Sequence, residues 1–391
     1  MPLEKATITG IGLSRIGRNT HRPAIDHLAD AALEAIADAG LTHADIDGVT
    51  SYPGRNNQSP GMSPLGVNDV RDALGLKTRW HSNTQEGPAQ ASALMVAAMA
   101  VMTGQARHVL VFRALTESSS QSAGRRASVP TGQSDRISGW FSWLLPLGAV
   151  SAANWAAQIA SRYMHEFGLT RDHLASIAVM QRANASRNPR AIMRDKALTI
   201  DDYMQSRMIS TPLCLFDCDV PIDGACAVIV SAADCARDLR NPPIRIEAMG
   251  SALTGPGFWD QRPDLTTMAA HDACADLWSR TDFRPTDIDV LALYDGFSIF
   301  VPLWLEAFGV CGHGEAIGLI EDGALSIDGR FPTNTGGGQL SAGRMHGYGH
   351  VFEACEQLWG RGGQRQIRDA RTAAVGMGGG PLAGALLLVR E

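Results

Sequence analysis

The sequence predicts an α/β fold: a parallel or mixed sheet covered by helices and built as two similar halves. Three observations carry the prediction. Strand-like and helix-like stretches alternate through roughly the first 115 residues. The same order returns after residue 243. Short letter matches recur at an offset of about 240–260 residues, the sign of a duplicated half and not of a solenoid. Ala44-Asp45-Ile46-Asp47 precedes one strand, and Thr286-Asp287-Ile288-Asp289 precedes its counterpart. Gly104-Gln105 and Gly363-Gln364 each close a helix before a buried strand.

Residues 6–9 read as a strand ending at Gly10 and Gly12. Residues 25–39 carry apolar side chains at helical spacing, and Gly40 stops that helix. A short strand follows at 46–51. Another near 79–83 leads into an apolar helix over 88–103. Gly104 ends it, and HVLVFRAL (108–115) reads as a buried strand. Residues 116–137 are rich in Ser, Gly and Arg and read as an exposed loop. Helices follow at 150–165 and 171–185, then a turn and strand within 212–230. The second half reads as strand 244–254, helix 268–280, strand 288–296 and helix 297–309. A helix at 350–359 and strands at 372–379 and 384–391 close the chain.

Composition excludes several function classes. The chain has 391 residues, 45% hydrophobic and 19% charged, enough to bury a sizeable core. Its net charge of −6 gives no bulk attraction to nucleic acid or anionic membrane. The longest apolar stretch, 288–310, is interrupted by Asp295, Pro302 and Glu306, so no membrane span is expected. The start MPLEKATITGIG shows no secretory leader. The seven cysteines are an odd number, and none precedes Cys214. An odd count in a chain with no visible leader points to reduced thiols in the cytoplasm. No CxxC or matching histidine pair accompanies them, so no metal is expected. Gly10-Ile11-Gly12 is followed next by Gly17, which breaks the dinucleotide fingerprint. No P-loop and no GxSxG elbow occur.

What remains is a set of glycine-dense segments at the ends of C-terminal strands. They are Tyr294-Asp295-Gly296-Phe297, Asn334-Thr335-Gly336-Gly337-Gly338 through Gly343-Arg344-Met345-His346-Gly347, and Gly376-Met377-Gly378-Gly379-Gly380. Loops beyond strand ends are where an α/β sheet does its chemistry. Glycine backbone there can lie flat against a ligand and donate N–H groups to an oxyanion.

Together with Arg162-Tyr163-Met164, Asn184-Ala185, Asn188-Pro189, Ser206-Arg207-Met208-Ile209, Pro212-Leu213 and Asp223-Gly224-Ala225, these segments carry a resemblance. Over essentially its whole length the chain resembles the thiolase superfamily, nearest to its sterol-carrier-protein-type, lipid-transfer branch. The resemblance implies two pseudo-symmetric halves with five-stranded mixed sheets, layered α/β/α/β/α. On it, residues 1–119 are the first part of the N-terminal half and 120–211 a loop and helical insertion. Residues 212–242 end the N-terminal half, and 243–391 form the C-terminal half.

A thiolase uses a nucleophilic Cys at the start of its central helix, an Asn and a His for an oxyanion, and a second Cys for proton transfer. This chain departs at each. Asn83 to Gln90 at the helix start contain no Cys; Tyr294 holds the Asn position, Arg344 the His position and Gly376 the second Cys position. The departures resemble the retro-aldolases that shorten steroid side chains as CoA thioesters. In that branch tyrosines take the Asn and His positions. Tyr294 matches the first, while Arg344 stands where the second tyrosine is expected. The resemblance implies a carbon–carbon lyase acting on a β-hydroxyacyl-CoA, with no cofactor beyond the CoA thioester. It implies a homodimer and a separate small partner with a zinc ribbon and an OB-like domain. The rival readings are an acyltransferase with an atypical site and a non-catalytic acyl-CoA-binding homologue.

The residues proposed for catalysis are Tyr294, Arg344 and His346. Tyr294 is the acid or base at the β-hydroxyl; as a base it needs a nearby cation. Arg344 is that cation or an oxyanion donor, and His346 is a proton shuttle. Substrate contacts are assigned to Gln85 and Glu86 near the lost nucleophile, to Tyr348 as the alternative tyrosine, and to Gly337, Gly338, Gly379 and Gly380. Asp295 reads as a helix cap, His350 as structural, and Arg125 and Arg126 as a solvated loop.

Overall fold

A computed structural model describes residues 5–56, 59–84, 87–122, 139 and 141–391. In chain order its strands are β1 (Thr7–Leu13), β2 (Gly48–Ser51), β3 (Trp80–Asn83), β4 (His108–Thr116), β5 (Met208–Ser210) and β6 (Leu213–Cys214). Then follow β7 (Asp223–Ser231), β8 (Ile244–Gly250), β9 (Val290–Ala292), β10 (Thr372–Gly379) and β11 (Leu382–Arg390). β5 and β6 form a small hairpin. The other nine make one mixed sheet, ordered β3-β2-β4-β7-β1-β8-β11-β10-β9.

The two halves meet at β1 and β8, which pair only at Thr7–Arg245 and Ile8–Ile244. On either side the pairing pattern repeats. β2 runs parallel to β3 and β4, with β7 and then β1 antiparallel. β9 runs parallel to β10, with β11 and then β8 antiparallel. The fifth row of the second half is reduced to one parallel bridge, Leu291–Thr333.

The letter repeat has a physical basis. The Asp47 carboxylate accepts the backbone N–H groups of Arg107 (2.9 Å) and His108 (3.0 Å) at the start of β4. Asp289 accepts those of Arg371 (2.8 Å) and Thr372 (3.0 Å) at the start of β10. Each aspartate satisfies donors that would be orphaned at a buried strand start. The glycine that matches Gly104 is Gly360, not Gly363. Gly104 donates to Val101 and Gly360 to Gln357, each with positive φ just after its helix.

Three apolar cores give the layers. The outer helix Ala24–Ala39 packs on the first half-sheet. The helices Ala91–Met102 and Tyr348–Leu358 share a central core with strands of both halves. The outer helix Ala269–Trp278 packs on the second half-sheet with Ala152–Phe167 and Arg171–Ser186. The central helix Ala91–Met102 is apolar on nearly every face because most of it is enclosed, with Met99 left exposed.

β1 does not stop at Gly10 and Gly12 but runs through them. A Cβ on Gly12 would lie 2.0 Å from the Ala31 carbonyl oxygen of the outer helix. In the second half a Cβ on Gly250 would lie 1.9 Å from the Ala273 carbonyl oxygen. These glycines let each outer helix sit directly on its sheet. Replacing Gly12 by Ala is therefore expected to destabilise the fold by about 3 kcal/mol, because backbone and not a flexible tip must yield. Urea unfolding of the variant measures this.

Residues 116–137 also depart from a simple loop: Glu117–Ser122 are helical, with Glu117 and Ser118 buried. Arg125 and Arg126 lie outside the described residues. The helix read at 297–309 begins only at Phe300. The segment before it is tied elsewhere: Asp219 N–H donates to Gly296 O at 3.2 Å and Ser298 N–H to Asp217 O at 3.0 Å.

Candidate active site

Tyr294 follows β9, and its N–H donates to the Gly376 carbonyl at 3.0 Å, which aligns it with β10. Its half-buried ring lies 6.3 Å from the Phe300 ring. Two neighbouring segments converge on it. The tie from Asp219 to Gly296 brings one. The Arg344 N–H, donating to Val220 O at 2.8 Å, brings the other.

These ties assemble an ionic cluster. Arg344 Nε donates to Asp219 Oδ1 at 2.8 Å, and its Nη1 donates to Glu117 Oε2 at 3.3 Å. Glu117 comes from the first half, directly after β4. His346 Nε2 lies 3.4 Å from the same Glu117 oxygen. Arg113, buried in β4, donates from Nη2 to His346 Nδ1 at 2.9 Å and from Nη1 to the Tyr52 carbonyl at 2.9 Å. Arginine only donates, so Nδ1 is the acceptor and a neutral His346 carries its proton on Nε2, toward Glu117.

The two buried carboxylates do not share the nearby cations equally. Burial raises Glu117, but Arg344, His346 and Arg113 outweigh it and hold it at about 2. Burial pushes Asp219 up to about 7; Arg344 opposes this, while Glu117 and Asp295 add to it. Burial also raises the Tyr294 phenol well above its usual range, with Asp219 adding to the shift and Arg344 opposing it. Burial and Arg113 pull His346 down to about 4 against the pull of Glu117.

Burial and the Asp219 charge keep the Tyr294 phenol protonated at neutral pH, so the group it presents is a donor. Burial disfavours the His346 imidazolium, and the neutral ring faces Glu117 with Nε2. Arg344 Nε and Nη1 are committed to Asp219 and Glu117, and Nη2 has no hydrogen bond among the described residues.

Other predicted residues have structural positions. Asp295 does not cap the helix that follows it. Its carboxylate accepts from Gln339 N (2.9 Å) and Leu340 N (3.3 Å), which caps the turn Gly338–Ala342. His350 Nε2 sits 3.0 Å from the same carboxylate. Tyr348 is fully buried and its hydroxyl has no hydrogen-bond partner among the described residues. The space beside the four glycines is filled by protein: Ala185 beside Gly337, Asp295 and Gln181 beside Gly338, Phe300 beside Gly379, and Trp259 beside Gly380. Gln85 and Glu86 lie outside the described residues. At the start of the central helix, Ala89 holds φ 49°, and a Cβ on Gly378 would lie 2.5 Å from its methyl. An elbow is present there, but its side chain is a methyl group.

Asp219, Glu117 and Arg113 were not singled out from the sequence. Arg113 had a signal: an arginine inside HVLVFRAL, a run otherwise fit for a buried strand, requires polar partners once buried. The two carboxylates had none, since nothing local says that they share one guanidinium.

All seven cysteines are free thiols. Cys218 lies beside this cluster, but burial and the Asp219 and Asp217 charges push its thiol up to about 12. It donates to the Cys214 carbonyl at 3.6 Å. A thiol so raised is not a ready nucleophile.

The fold and this thiol-free cluster define a thiolase-like protein whose site departs from thiolysis. Residues 257–390 match the family described as Thiolase C-terminal domain-like. The chain is 35% identical to the 17-hydroxy-3-oxo-4-pregnene-20-carboxyl-CoA lyase of Mycobacterium tuberculosis, over 91% of this chain and 92% of that one. It is 34% identical to the steroid side-chain-cleaving aldolase of Thermomonospora curvata, over 91% and 90% respectively. Its structure matches the Ltp2-ChsH2(DUF35) aldolase with a TM-score of 0.87 and 32% identity, covering 99% and 98% of the two chains. The chain belongs to the thiolase superfamily, in the branch of these CoA-thioester aldolases. No helix among the described residues is long and apolar enough to cross a membrane.

Proposed function

We propose that the protein is a carbon–carbon lyase that cleaves a β-hydroxyacyl-CoA by a retro-aldol reaction. The observation that carries this reading is the Tyr294–Asp219–Arg344–Glu117 cluster, which joins both halves and offers a base near neutrality but no reactive thiol. Asp219, held by Arg344, takes the β-hydroxyl proton; a base with a value near 7 suits that task. The Cα–Cβ bond breaks and its electron pair moves onto the α-carbon and thioester oxygen as an enolate. The Tyr294 hydroxyl and Arg344 Nη2 donate to that oxygen, a preorganised stabilisation of developing charge. The α-carbon then takes a proton. The products are a carbonyl compound and a shorter acyl-CoA, and no cofactor is consumed.

The relatives' names support a bulky steroid acyl group as the substrate class. The Ltp2-ChsH2(DUF35) assembly supports a separate partner protein. The sheet ends at β3, whose outer edge has no strand partner among the described residues. Such an edge supports a homodimer through the first half. Seven free thiols fit the reducing cytoplasm.

The test incubates the protein, alone and with such a partner, with a ring-bearing β-hydroxyacyl-CoA and separately with acetoacetyl-CoA plus free CoA. The first is expected to yield a carbonyl product and a shorter CoA ester, and the second no thiolysis. Cys218→Ala should cleave as fast as the unsubstituted protein. CoA-dependent thiolysis abolished by that substitution would overturn the proposal.

A further inference from the structure

Away from the ionic cluster, a second group of ligand-type side chains has no part in the reaction. It lies where the helices Ala269–Trp278 and Phe300–Ala307 meet the loop at 312–314. His271, Glu306 and His313 there offer donor atoms that all lie within 4.8 Å of one another. His271 Nε2 is buried without a hydrogen-bond partner among the described residues. Its Nδ1 sits between the Met268 N–H (3.2 Å) and carbonyl oxygen (3.3 Å). An ion on Nε2 requires the ring proton on Nδ1, where the Met268 carbonyl oxygen accepts it in place of the contact from the Met268 N–H.

The surrounding contacts orient the other two donors. Glu306 is buried, and its Oε1 accepts from the Tyr163 hydroxyl and from Gly314 N–H (3.0 Å). Its Oε2 is left facing His313 Nδ1 at 3.0 Å. On the far side of that ring, Nε2 lies 2.9 Å from Thr266 Oγ1, whose own proton goes to Asp264 Oδ1 at 2.5 Å. The Thr266 oxygen is therefore an acceptor, and His313 Nε2 is the donor. That fixes the remaining choice. Nδ1 faces a carboxylate oxygen, so a positive charge, either a proton or a metal ion, must lie between them.

We propose that His271 Nε2, Glu306 Oε2 and His313 Nδ1 bind a divalent transition-metal ion of the zinc class. Two imidazoles and one carboxylate are a zinc donor set that leaves a fourth position open. The Asp264–Thr266–His313 chain is the outer support that metal-bound histidines commonly have. An open cavity of about 460 Å³, lined in part by Arg262, Asp264, Thr266 and His313, gives the ion an entry path. The ion would join the segment at 264–271 to the helix that begins at Phe300. Trp259, in the preceding loop, lies 6.1 Å from Phe300, and Phe300 lies 6.3 Å from Tyr294. The role is structural: the ion braces the wall behind Tyr294.

The test strips the full-length protein with a chelator and titrates it with zinc, following heat release and melting temperature. Cobalt is then substituted to read the ligand field. The expected result is one ion per chain, a rise in melting temperature and a tetrahedral cobalt spectrum without a thiolate charge-transfer band. His313→Gln, at a half-exposed side chain, and His271→Gln should each weaken binding by at least about 10-fold. Absence of saturable binding would overturn the proposal and leave a proton as the charge on His313. So would binding unchanged in both variants, or a cobalt–thiolate band from the free cysteines.

Discussion

Replacing Tyr294 by Phe is expected to lower kcat for retro-aldol cleavage by about 10²-fold or more. The phenol is held above its usual range by burial and Asp219, so at neutral pH it keeps its proton and donates it. Phe preserves the ring and its contact with Phe300, 6.3 Å away. Folding should survive, and KM should change much less than kcat, because the lost bond matters most when charge develops. Steady-state kinetics on a β-hydroxyacyl-CoA checks this. An unchanged kcat would remove Tyr294 from the chemistry.

Asp219→Asn is expected to abolish most turnover, by about 10²–10⁴-fold, and yet raise the melting temperature at pH 8. Both effects have one cause. The Asp219 carboxyl stands at about 7 in the folded protein, against an ordinary unfolded value of about 3.9. The folded state therefore holds the extra proton between these values. The group's stabilising contribution is present below about 4 and is lost as pH rises through about 7. Asn removes that pH-dependent cost and can still accept from Arg344, which also keeps Glu117. For catalysis the sign is opposite, because the base must be ionised. In the unsubstituted protein kcat/KM should rise with pH through about 7 and then level off. The Asn variant should lose that limb. A variant that is both active and less stable would place the base elsewhere.

Much of the fold was legible because its signals are local. Asp47 and Asp289 each cap the start of a buried strand, and a cap leaves the same letters in both halves. The missing nucleophile was legible as well, since the start of the central helix contains no Cys. Strand and helix ends were less so. β1 continues through two glycines because the outer helix needs their surface, a demand made by a partner distant in sequence. The site was half legible. Tyr294 and Arg344 stood in glycine-dense segments that marked themselves. Their protonation states did not, because these depend on Asp219 and Glu117, which are 125 and 227 residues from Arg344 in the chain. Arg344 shows the same limit. In the sequence it is only a departure from an expected tyrosine, and in the structure it is the shared partner of two carboxylates.

The proposed reaction cleaves a carbon–carbon bond without an acyl-enzyme. The most direct measurement is product analysis by mass spectrometry in deuterated water, with intact-protein mass recorded during turnover. The predicted result is a carbonyl compound and a shorter acyl-CoA carrying one deuterium at its α-carbon, with no free CoA consumed and no mass added to the chain. Consumption of free CoA together with an acylated protein would contradict it.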